Sequence, residues 1–217
     1  MCSLEVDRLA DLDAVTFDAN GTLVGLVDPA PKLDKLLRDH GIERSPETIR
    51  RALAAEGTVY AARSVEAHEP VALAAPQREC TGVFLDEAGA NGLDPGEFAP
   101  FYVGAMDFEV LPGVHESLER LRRCGLALGV VANFDLTLNA RLEELGLAHV
   151  FATVVTPADA AAAKPDPRIF CVALERLGVV PERALHIGDS AADEEGARAT
   201  GMNFAWAPIP QALQGWT

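Results

Sequence analysis

The stretch AVTFDANGTL, residues 14–23, decides the fold. It opens with four apolar or β-branched residues, then reaches the carboxylate of Asp18 and the turn residues Asn20 and Gly21. A short apolar run that ends in a carboxylate and a glycine turn is typical of a buried strand that delivers a side chain to a loop. We therefore predict a strand over Ala14–Phe17, with Asp18 at its carboxyl end in the position of a nucleophile.

Similar short apolar runs recur downstream and alternate with helical patterns. The further predicted strands are Leu126–Val131, Ala152–Val155, Ala184–Ile187 and a weaker one near Phe204–Ala207. The helices predicted between them from amphipathic spacing are Val114–Cys124, Leu136–Leu145 and Pro167–Leu177. Short apolar strands alternating with helices favour an α/β fold, in which a parallel sheet carries helices on both faces.

The segment from residue 26 to residue 109 breaks this alternation. Its patterns are all helical, with no convincing strand, and cover Lys32–Asp39, Ser45–Ala55, Val59–Glu66 and Gln77–Ala88. Pro95 and Gly96 punctuate its far end. We interpret residues 26–109 as a helical insertion into a core domain formed by residues 1–25 and 110–217.

Polar side chains follow three of the predicted strands directly. Asp18, Asn133 and Asp189 each come just after an apolar run, and Asp193 lies four residues beyond Asp189. Ligands of open α/β sheets bind beyond the carboxyl ends of the strands, so we expect these groups to converge at one edge, beneath the insertion. With Lys164, they supply the parts needed for metal-assisted covalent catalysis on a phosphate.

Four segments together resemble motifs I to IV of the haloacid dehalogenase superfamily. They are residues 18–22 (DANGT), residues 131–133 (VAN), residues 164–170 (KPDPRIF) and residues 188–193 (GDSAAD). The resemblance extends over essentially the whole chain. It implies a Rossmann-like parallel sheet with an inserted α-helical cap of the first type. It also implies a hydrolase, since most known members are magnesium-dependent phosphatases.

The resemblance assigns roles residue by residue. The implied catalytic residues are Asp18 as nucleophile, Asn20 and Lys164. The implied phosphate-binding residues are Thr22, Ala132, Asn133 and Lys164. The implied ligands of a Mg²⁺ cofactor are Asp18, Asn20 through its carbonyl, Asp189 and Asp193, the last either through water or as an orienter of Lys164.

Two positions depart from the family pattern. Phosphatases of the family carry a second aspartate where this chain has Asn20, and an amide cannot exchange the proton that this acid gives to the leaving group. General acid–base help contributes about 10²- to 10⁴-fold in rate, or roughly 3–5.5 kcal/mol of barrier. Ala132 stands where the family has a phosphate-binding hydroxyl, a hydrogen bond that contributes about 1.5–3 kcal/mol. We therefore expect modest activity, greatest on acidic leaving groups.

Other interpretations of these residues stay open. Asp18 and Asp189 could be turn or helix-capping acids, and Lys164 a solvated loop residue. The missing second acid is also a feature of 2-haloacid dehalogenases and phosphonatases, and members resembling the rhythmically expressed gene 2 group vary at this position. Together, Asn20 and Ala132 could instead mark a catalytically impaired binding protein.

The insertion should set substrate choice, but its sequence singles out no specificity residue. The polar and aromatic candidates are Tyr60, Arg63, His68, Arg78 and Tyr102, with Arg38 or Arg63 as candidate halide-cradle arginines. Its only lysines, Lys32 and Lys35, lie near its start, which disfavours a Schiff-base mechanism.

Composition limits the kinds of binding partner that we expect for this chain. Eighteen basic against 33 acidic residues give a formal charge of −15, so nucleic acid and anionic membranes are disfavoured and a small phosphorylated molecule is expected. Cys2, Cys80, Cys124 and Cys171 lack zinc spacing, and two lie inside predicted helices, where burial is expected. The amino-terminal residues show no targeting pattern, and no apolar run is long enough to span a membrane. We expect a cytoplasmic monomer or homodimer.

Overall fold

The computed structural model of the chain describes residues 9–63 and 74–216. The chain divides into two compact units, one comprising Met1–Gly25 with Glu109–Thr217 and the other Leu26–Phe108. The strands are β1 (Ala14–Phe17), β2 (Val24–Leu26), β3 (Phe108–Val110), β4 (Ala127–Val131), β5 (Thr153–Val155), β6 (Ala184–Gly188) and β7 (Asn203–Trp206). The helices are α1 (Ala30–Asp39), α2 (Pro46–Arg63), α3 (Ala74–Glu87), α4 (Pro95–Gly104), α5 (Val114–Arg123), α6 (Leu138–Glu144), α7 (Pro157–Ala160), α8 (Pro167–Leu177), α9 (Ala191–Thr200) and α10 (Ile209–Ala212).

A five-stranded parallel sheet organises the first unit. Its strand order is β5-β4-β1-β6-β7, so β1 lies at the centre and pairs with β4 on one side and β6 on the other. Every residue of β1 and β6 is buried, which is why these strands are near-continuous apolar runs rather than alternating ones. The predicted α/β parallel sheet is confirmed, and each of its five strands was placed to within one residue of its observed ends.

Helices α8 and α9 pack beside the sheet and begin near the carboxyl ends of its strands. Pro167 opens α8 beside the capping carboxylate of Asp166, which accepts the amide of Arg168, and Gly178 closes the helix with a φ of 69°. The two helices bury Ile169, Phe170, Ala173, Ala197 and their neighbours against Val131 and Val155 of the sheet. This packing fixes the start of each helix relative to the strand ends.

The second unit is helical, and its details correct the sequence expectations. Two separate helices were expected over 45–55 and 59–66, but α2 runs unbroken from Pro46 to Arg63 through Gly57. Helix α4 was missed because Pro95-Gly96 was interpreted as punctuation. Pro95 instead occupies the first turn, and the carboxylate of Asp94 caps the helix by accepting the amides of Gly96 and Glu97.

Strands β2 and β3 were also missed. They form a separate two-stranded sheet of three residues each, so the expectation that residues 26–109 contain no strand was wrong at both ends of that segment, for Leu26 and for Phe108 and Glu109. Of the cysteines in the described residues, Cys80 is buried, whereas Cys124 and Cys171 are exposed. The expected burial therefore fails for Cys171 inside α8. No helix in the described ranges has the length and apolar character to cross a bilayer.

Gly196 of α9 packs tightly against Phe170 of α8. A Cβ at this position would overlap the ring of Phe170 and lie 2.9 Å from the carbonyl oxygen of Pro165. We therefore expect Gly196→Ala to lower the free energy of unfolding by about 1–3 kcal/mol, measured by urea denaturation.

Gly57 provides the matched control. It is exposed inside α2, and no described atom lies within 4 Å of a Cβ built there. Gly57→Ala should raise the free energy of unfolding by about 0.5–1 kcal/mol, because alanine loses less backbone entropy in a helix. Equal effects of the two substitutions would contradict the packing argument.

Candidate active site

Asp18 leaves the central strand at the carboxyl edge of the sheet. Its amide donates to the carbonyl of Ile187 at 2.9 Å, which holds the residue against β6. The carbonyl of Ala19 then accepts the amides of Leu23 and Val24, both at 2.9 Å, and turns the chain sharply. Asp18 is buried as a result, whereas Asn20 at the outside of the turn is exposed.

Gly21 allows this turn to approach Asp189 at the end of β6. Its φ is +88°, and a Cβ at this position would overlap the carboxylate of Asp189. Glycine is therefore required here twice, once for the backbone conformation and once for space. The carboxylate of Asp189 lies against the loop that carries Asp18 and Asn20.

Lys164 forms ion pairs with Asp18 and Asp193 at the centre of the site. Its side chain is only 3% exposed, and its ammonium donates to Oδ1 of Asp18 and, at 2.6 Å, to Oδ1 of Asp193. A buried cation requires such partners, and removing one partner of a buried pair typically destabilises a protein by about 3–5 kcal/mol. Lys164 is thus an internal ion-pair residue, which rules out the solvated-loop interpretation.

Asp193 is fully engaged by its neighbours. Besides Lys164, its Oδ1 accepts from Nε2 of His186 at 3.0 Å. Its Oδ2 accepts the amide and the hydroxyl of Ser190 at 3.1 and 2.5 Å, which closes a capping box on α9. An ionised carboxylate offers about four lone-pair sites, and all four are used.

Burial and neighbouring charges shift the pKa values of the three carboxylates in different directions. Burial raises the pKa of Asp18 above its ordinary value, with the Lys164 charge opposing and the Asp193 charge reinforcing the shift. Burial also raises the pKa of Asp189, again reinforced by Asp193. At Asp193 burial is outweighed by the hydrogen bond from His186 and the charge of Lys164, so its pKa lies well below its usual range. Of the three carboxylates, Asp193 therefore has the lowest pKa.

His186 and Thr16 belong to this cluster and were missed by the sequence analysis. Both side chains are completely buried, and Oγ1 of Thr16 lies 2.9 Å from Nδ1 of His186. The available signal was a histidine and a threonine inside strands that are otherwise apolar. Only the pairing of β1 with β6 brings the two side chains together.

Asn133 holds the Lys164 segment rather than the nucleophile. Its side-chain oxygen accepts the Lys164 amide at 2.8 Å, and its side-chain nitrogen donates to the Lys164 carbonyl at 3.0 Å. Both polar atoms of this side chain are therefore engaged by the backbone of Lys164. Ala132 is buried, and its amide donates to Val155 within the sheet.

Thr22 is 1% exposed, and its hydroxyl has no hydrogen-bond partner among the described residues. An unpaired buried hydroxyl costs free energy, so a group that accepts or donates a hydrogen bond there would stabilise the site. This is the one predicted phosphate-binding residue whose side chain is both polar and unoccupied in the described part of the chain.

The donor set suits a hard cation. Oxygen atoms of Asp18, Asp189 and Asp193 lie within 4.8 Å of one another. Carboxylate and carbonyl oxygens are the ligands that Mg²⁺ takes from proteins, usually one or two carboxylates together with waters and substrate oxygens. Because Asp193 already has four partners, Asp18 and Asp189 are the carboxylates with oxygen atoms to spare for a metal.

Most of the specificity candidates in the helical unit have partners inside that unit. Arg63 pairs with Glu79 at 3.0 Å, and Arg78 pairs with Asp94 at 3.4 Å. Tyr102 is buried, with its ring 4.9 Å from that of Phe84. Tyr60 is half-buried in α2, and His68 lies outside the described residues.

The remaining charged candidates of the helical unit form ion pairs as well. Arg38 pairs with Asp34, Lys32 with Asp107, and Lys35 with Asp39 at 2.8 Å. Apart from the half-buried Asp34, these residues are exposed, and the pairs single out no specificity residue.

Comparisons with known proteins agree with this fold. A family model described as haloacid dehalogenase-like hydrolase matches residues 12–201. The chain is 30% identical to a phosphoglycolate phosphatase of Mesorhizobium japonicum over 195 residues, which cover 87% of this chain and 79% of that protein. The chain belongs to the haloacid dehalogenase-like hydrolases, and it is a hydrolase of that superfamily.

The chain is also similar to a second curated protein and to a solved structure. The chain is 44% identical to haloacid dehalogenase-like hydrolase domain-containing protein 3 of Bos taurus over 107 residues, which cover 49% of this chain and 43% of that protein. The chain thus matches less than half of the length of that relative. The crystal structure of a 2-haloacid dehalogenase from Pseudomonas syringae is similar with a TM-score of 0.60 and 29% identity, covering 92% of this chain and 87% of that one.

The two hydrogen bonds of Asn133 give a direct test of how the Lys164 segment is held. In Asn133→Ala the Lys164 amide loses its acceptor, so its hydrogen exchange should accelerate about 5- to 150-fold, the equivalent of about 1–3 kcal/mol. The measurement is amide exchange followed by NMR.

Asn203→Ala is the control, because Asn203 donates to the carbonyls of Glu182 and Ala184 near the opposite end of β6. It should lower stability modestly without a selective effect at Lys164. Unchanged exchange of the Lys164 amide in Asn133→Ala would contradict the assigned role.

Proposed function

We propose that the chain is a Mg²⁺-dependent phosphatase that hydrolyses the phosphomonoester of a small metabolite through an aspartyl-phosphate on Asp18. The observation that carries the proposal is the buried carboxylate of Asp18, held by Lys164 and lying within 4.8 Å of the oxygen atoms of Asp189 and Asp193. A nucleophile, a cation and spare metal ligands at one sheet edge match what phosphoryl transfer requires.

Asp18, the carbonyl of Asn20 and Asp189 would hold the metal, and Asp193, whose oxygen atoms already have four partners, would orient Lys164. When bound, Mg²⁺ neutralises charge on the phosphoryl oxygens and limits their repulsion of the incoming carboxylate. Lys164 acts in the same direction from the protein side, because its ammonium already lies at Asp18 and would face the phosphate that docks there.

The chemical sequence then has two displacements. A carboxylate oxygen of Asp18 attacks phosphorus, the bond from phosphorus to the ester oxygen breaks, and the leaving group departs as an alkoxide or aryloxide. Water next attacks the phosphorus of the aspartyl-phosphate, which releases inorganic phosphate and a proton and restores the carboxylate of Asp18. Thr22, with its unpaired hydroxyl, and the Asn133 amide supply hydrogen bonds to the phosphoryl oxygens.

Asn20 determines which substrates turn over efficiently. Its amide can neither protonate the leaving group nor activate the water, and it is exposed at the mouth of the turn where such a group would act. Leaving groups that depart without a proton, as in aryl or acyl phosphates, are therefore favoured. Ala132 supplies no hydroxyl to the phosphate, which reduces transition-state stabilisation further.

A second candidate function is hydrolysis of a short 2-haloacid. Asn20 favours it, since a departing halide needs no proton, and a similar solved structure bears the name of such an enzyme. The oxygen atoms of Asp189 beside Asp18 count against it, because a metal-free reaction gains nothing from added negative charge near the nucleophile. Halide release that survives a strong chelator would support this function over ours. A third candidate is a binding role without turnover, which both Asn20 and Ala132 favour.

Hydrolysis of p-nitrophenyl phosphate with and without Mg²⁺ tests the proposal. We expect magnesium-dependent turnover by the natural chain and none by Asp18→Asn. Asn20→Asp should raise turnover of an alkyl phosphate by about 10²- to 10⁴-fold, because it restores a general acid, and that of the aryl ester by less.

Asn139→Asp is the matched control, since it adds the same negative charge at an exposed position of α6. It should leave both rates unchanged. Equal turnover of aryl and alkyl phosphates by the natural chain would contradict our account of Asn20, and no turnover by either the natural chain or Asn20→Asp would overturn the proposal.

A further inference from the structure

The buried imidazole of His186 lies directly behind the ion pairs of the site. His186 is in β6 and is the register partner of Thr16 in β1, so both side chains project from neighbouring positions of the sheet. The ring packs edge-on against Phe170, with centroids 5.0 Å apart, and near Phe204 at 6.3 Å. It makes two polar contacts in this apolar setting, one to Thr16 and one to Asp193.

The identity of those two partners fixes where the imidazole proton lies. An ionised carboxylate only accepts hydrogen bonds, so Nε2 of His186 must carry the proton that is donated to Asp193. In a neutral ring Nδ1 is then an acceptor, and the hydroxyl of Thr16 must donate to it. The ring is completely buried, and its two polar contacts account for both of its nitrogen atoms.

We propose that His186, held by Thr16 so that its Nε2–H is donated to Asp193, is a positioning residue that orients Asp193 and through it Lys164 against the nucleophile. The inference rests on the proposed function for its kinetic consequence, but the geometry it describes can be measured without turnover. Thr16 selects the tautomer, and His186 transmits the orientation from the sheet to the carboxylate.

The hydrogen bonds of Asp193 explain why a donor is needed at this place. Ser190 holds only Oδ2, on the side of α9, whereas Oδ1 is shared by His186 and Lys164. Without the imidazole, Oδ1 would be held by Lys164 alone, and the pair could rotate together away from Asp18. Groups that orient such site residues typically change metal affinity or activity about 10- to 100-fold when they are removed.

Substitutions at His186 separate a donor from a space-filling side chain. His186→Gln keeps an N–H donor near the position of Nε2, whereas His186→Met fills similar volume without one. We expect His186→Met to lower kcat for p-nitrophenyl phosphate about 10- to 100-fold with KM little changed, and His186→Gln to recover most of that loss. Equal losses in both variants, or no loss in His186→Met, would overturn the positioning role.

NMR of the natural chain tests the same inference independently of catalysis. The ¹⁵N shifts of the His186 ring should report a protonated Nε2 and an unprotonated, hydrogen-bonded Nδ1. Thr16→Val should remove the hydrogen bond at Nδ1, and Thr16→Ser should keep it. A ring protonated at Nδ1 in the natural chain would contradict the proposal.

The buried ammonium of Lys164 provides the last readout. Its ¹H–¹⁵N signal should be observable in the natural chain, retained in His186→Gln, and lost or broadened in His186→Met. If the natural chain hydrolyses no phosphate ester, the proposed function fails while this signal still decides the positioning role. Retention of the signal in His186→Met would reject that role whatever the activity.

Discussion

The buried ammonium of Lys164 between two carboxylates is the interaction on which the site depends. Asp18 comes from the end of the central strand, Asp193 from the first turn of α9, and the lysine from the loop before α8. Two anions this close in a buried place repel each other strongly, because screening by water is weak there. The lysine charge makes the arrangement tolerable, and the sheet order makes it possible by placing β1 beside β6.

Around this ion pair the site has an inner side and an outer side with different functions. On the inner side, His186 and Ser190 bond directly to Asp193, whose pKa lies well below its usual range, and Thr16 bonds to His186. On the outer side, Gly21 admits the carboxylate of Asp189, and Asn20 faces solvent. The inner side is hydrogen-bonded throughout, and the outer side offers the spare oxygen atoms. Asn20 is exposed and lies outside the buried network.

Long apolar strands and amphipathic helices could be predicted from sequence because their patterns are local. The runs ending at Phe17, Val131 and Ile187 have no other reasonable structure than buried parallel strands. Strands β2 and β3 carry too little pattern to detect, because a glycine or a glutamate interrupts their three residues, whereas the equally short β5 is entirely β-branched. In α2, packing of the helical unit overrides the weak helix propensity of Gly57, and in α4 the proline that suggested a break begins the helix.

The candidate site was predictable to the same extent. Acids that follow strands could be assigned to one sheet edge, because parallel strands end there together. The partners of His186 depend on the register of β1 against β6, and the partner of the Asn133 side chain depends on the path of a distant loop. Neither the strand register nor the loop path is determined by the sequence next to His186 or Asn133. Both sets of contacts could therefore be identified only from the three-dimensional structure.

The most direct test of the account is to look for phosphate on Asp18. A reaction of the natural chain with p-nitrophenyl phosphate and Mg²⁺ is quenched in acid, and the peptide containing Asp18 is analysed by mass spectrometry. We predict a phosphorylated Asp18 that accumulates during turnover, because Asn20 cannot activate the water that would remove the phosphate, and that declines in Asn20→Asp. Release of p-nitrophenol with Asp18 free of phosphate at every time point would contradict the account.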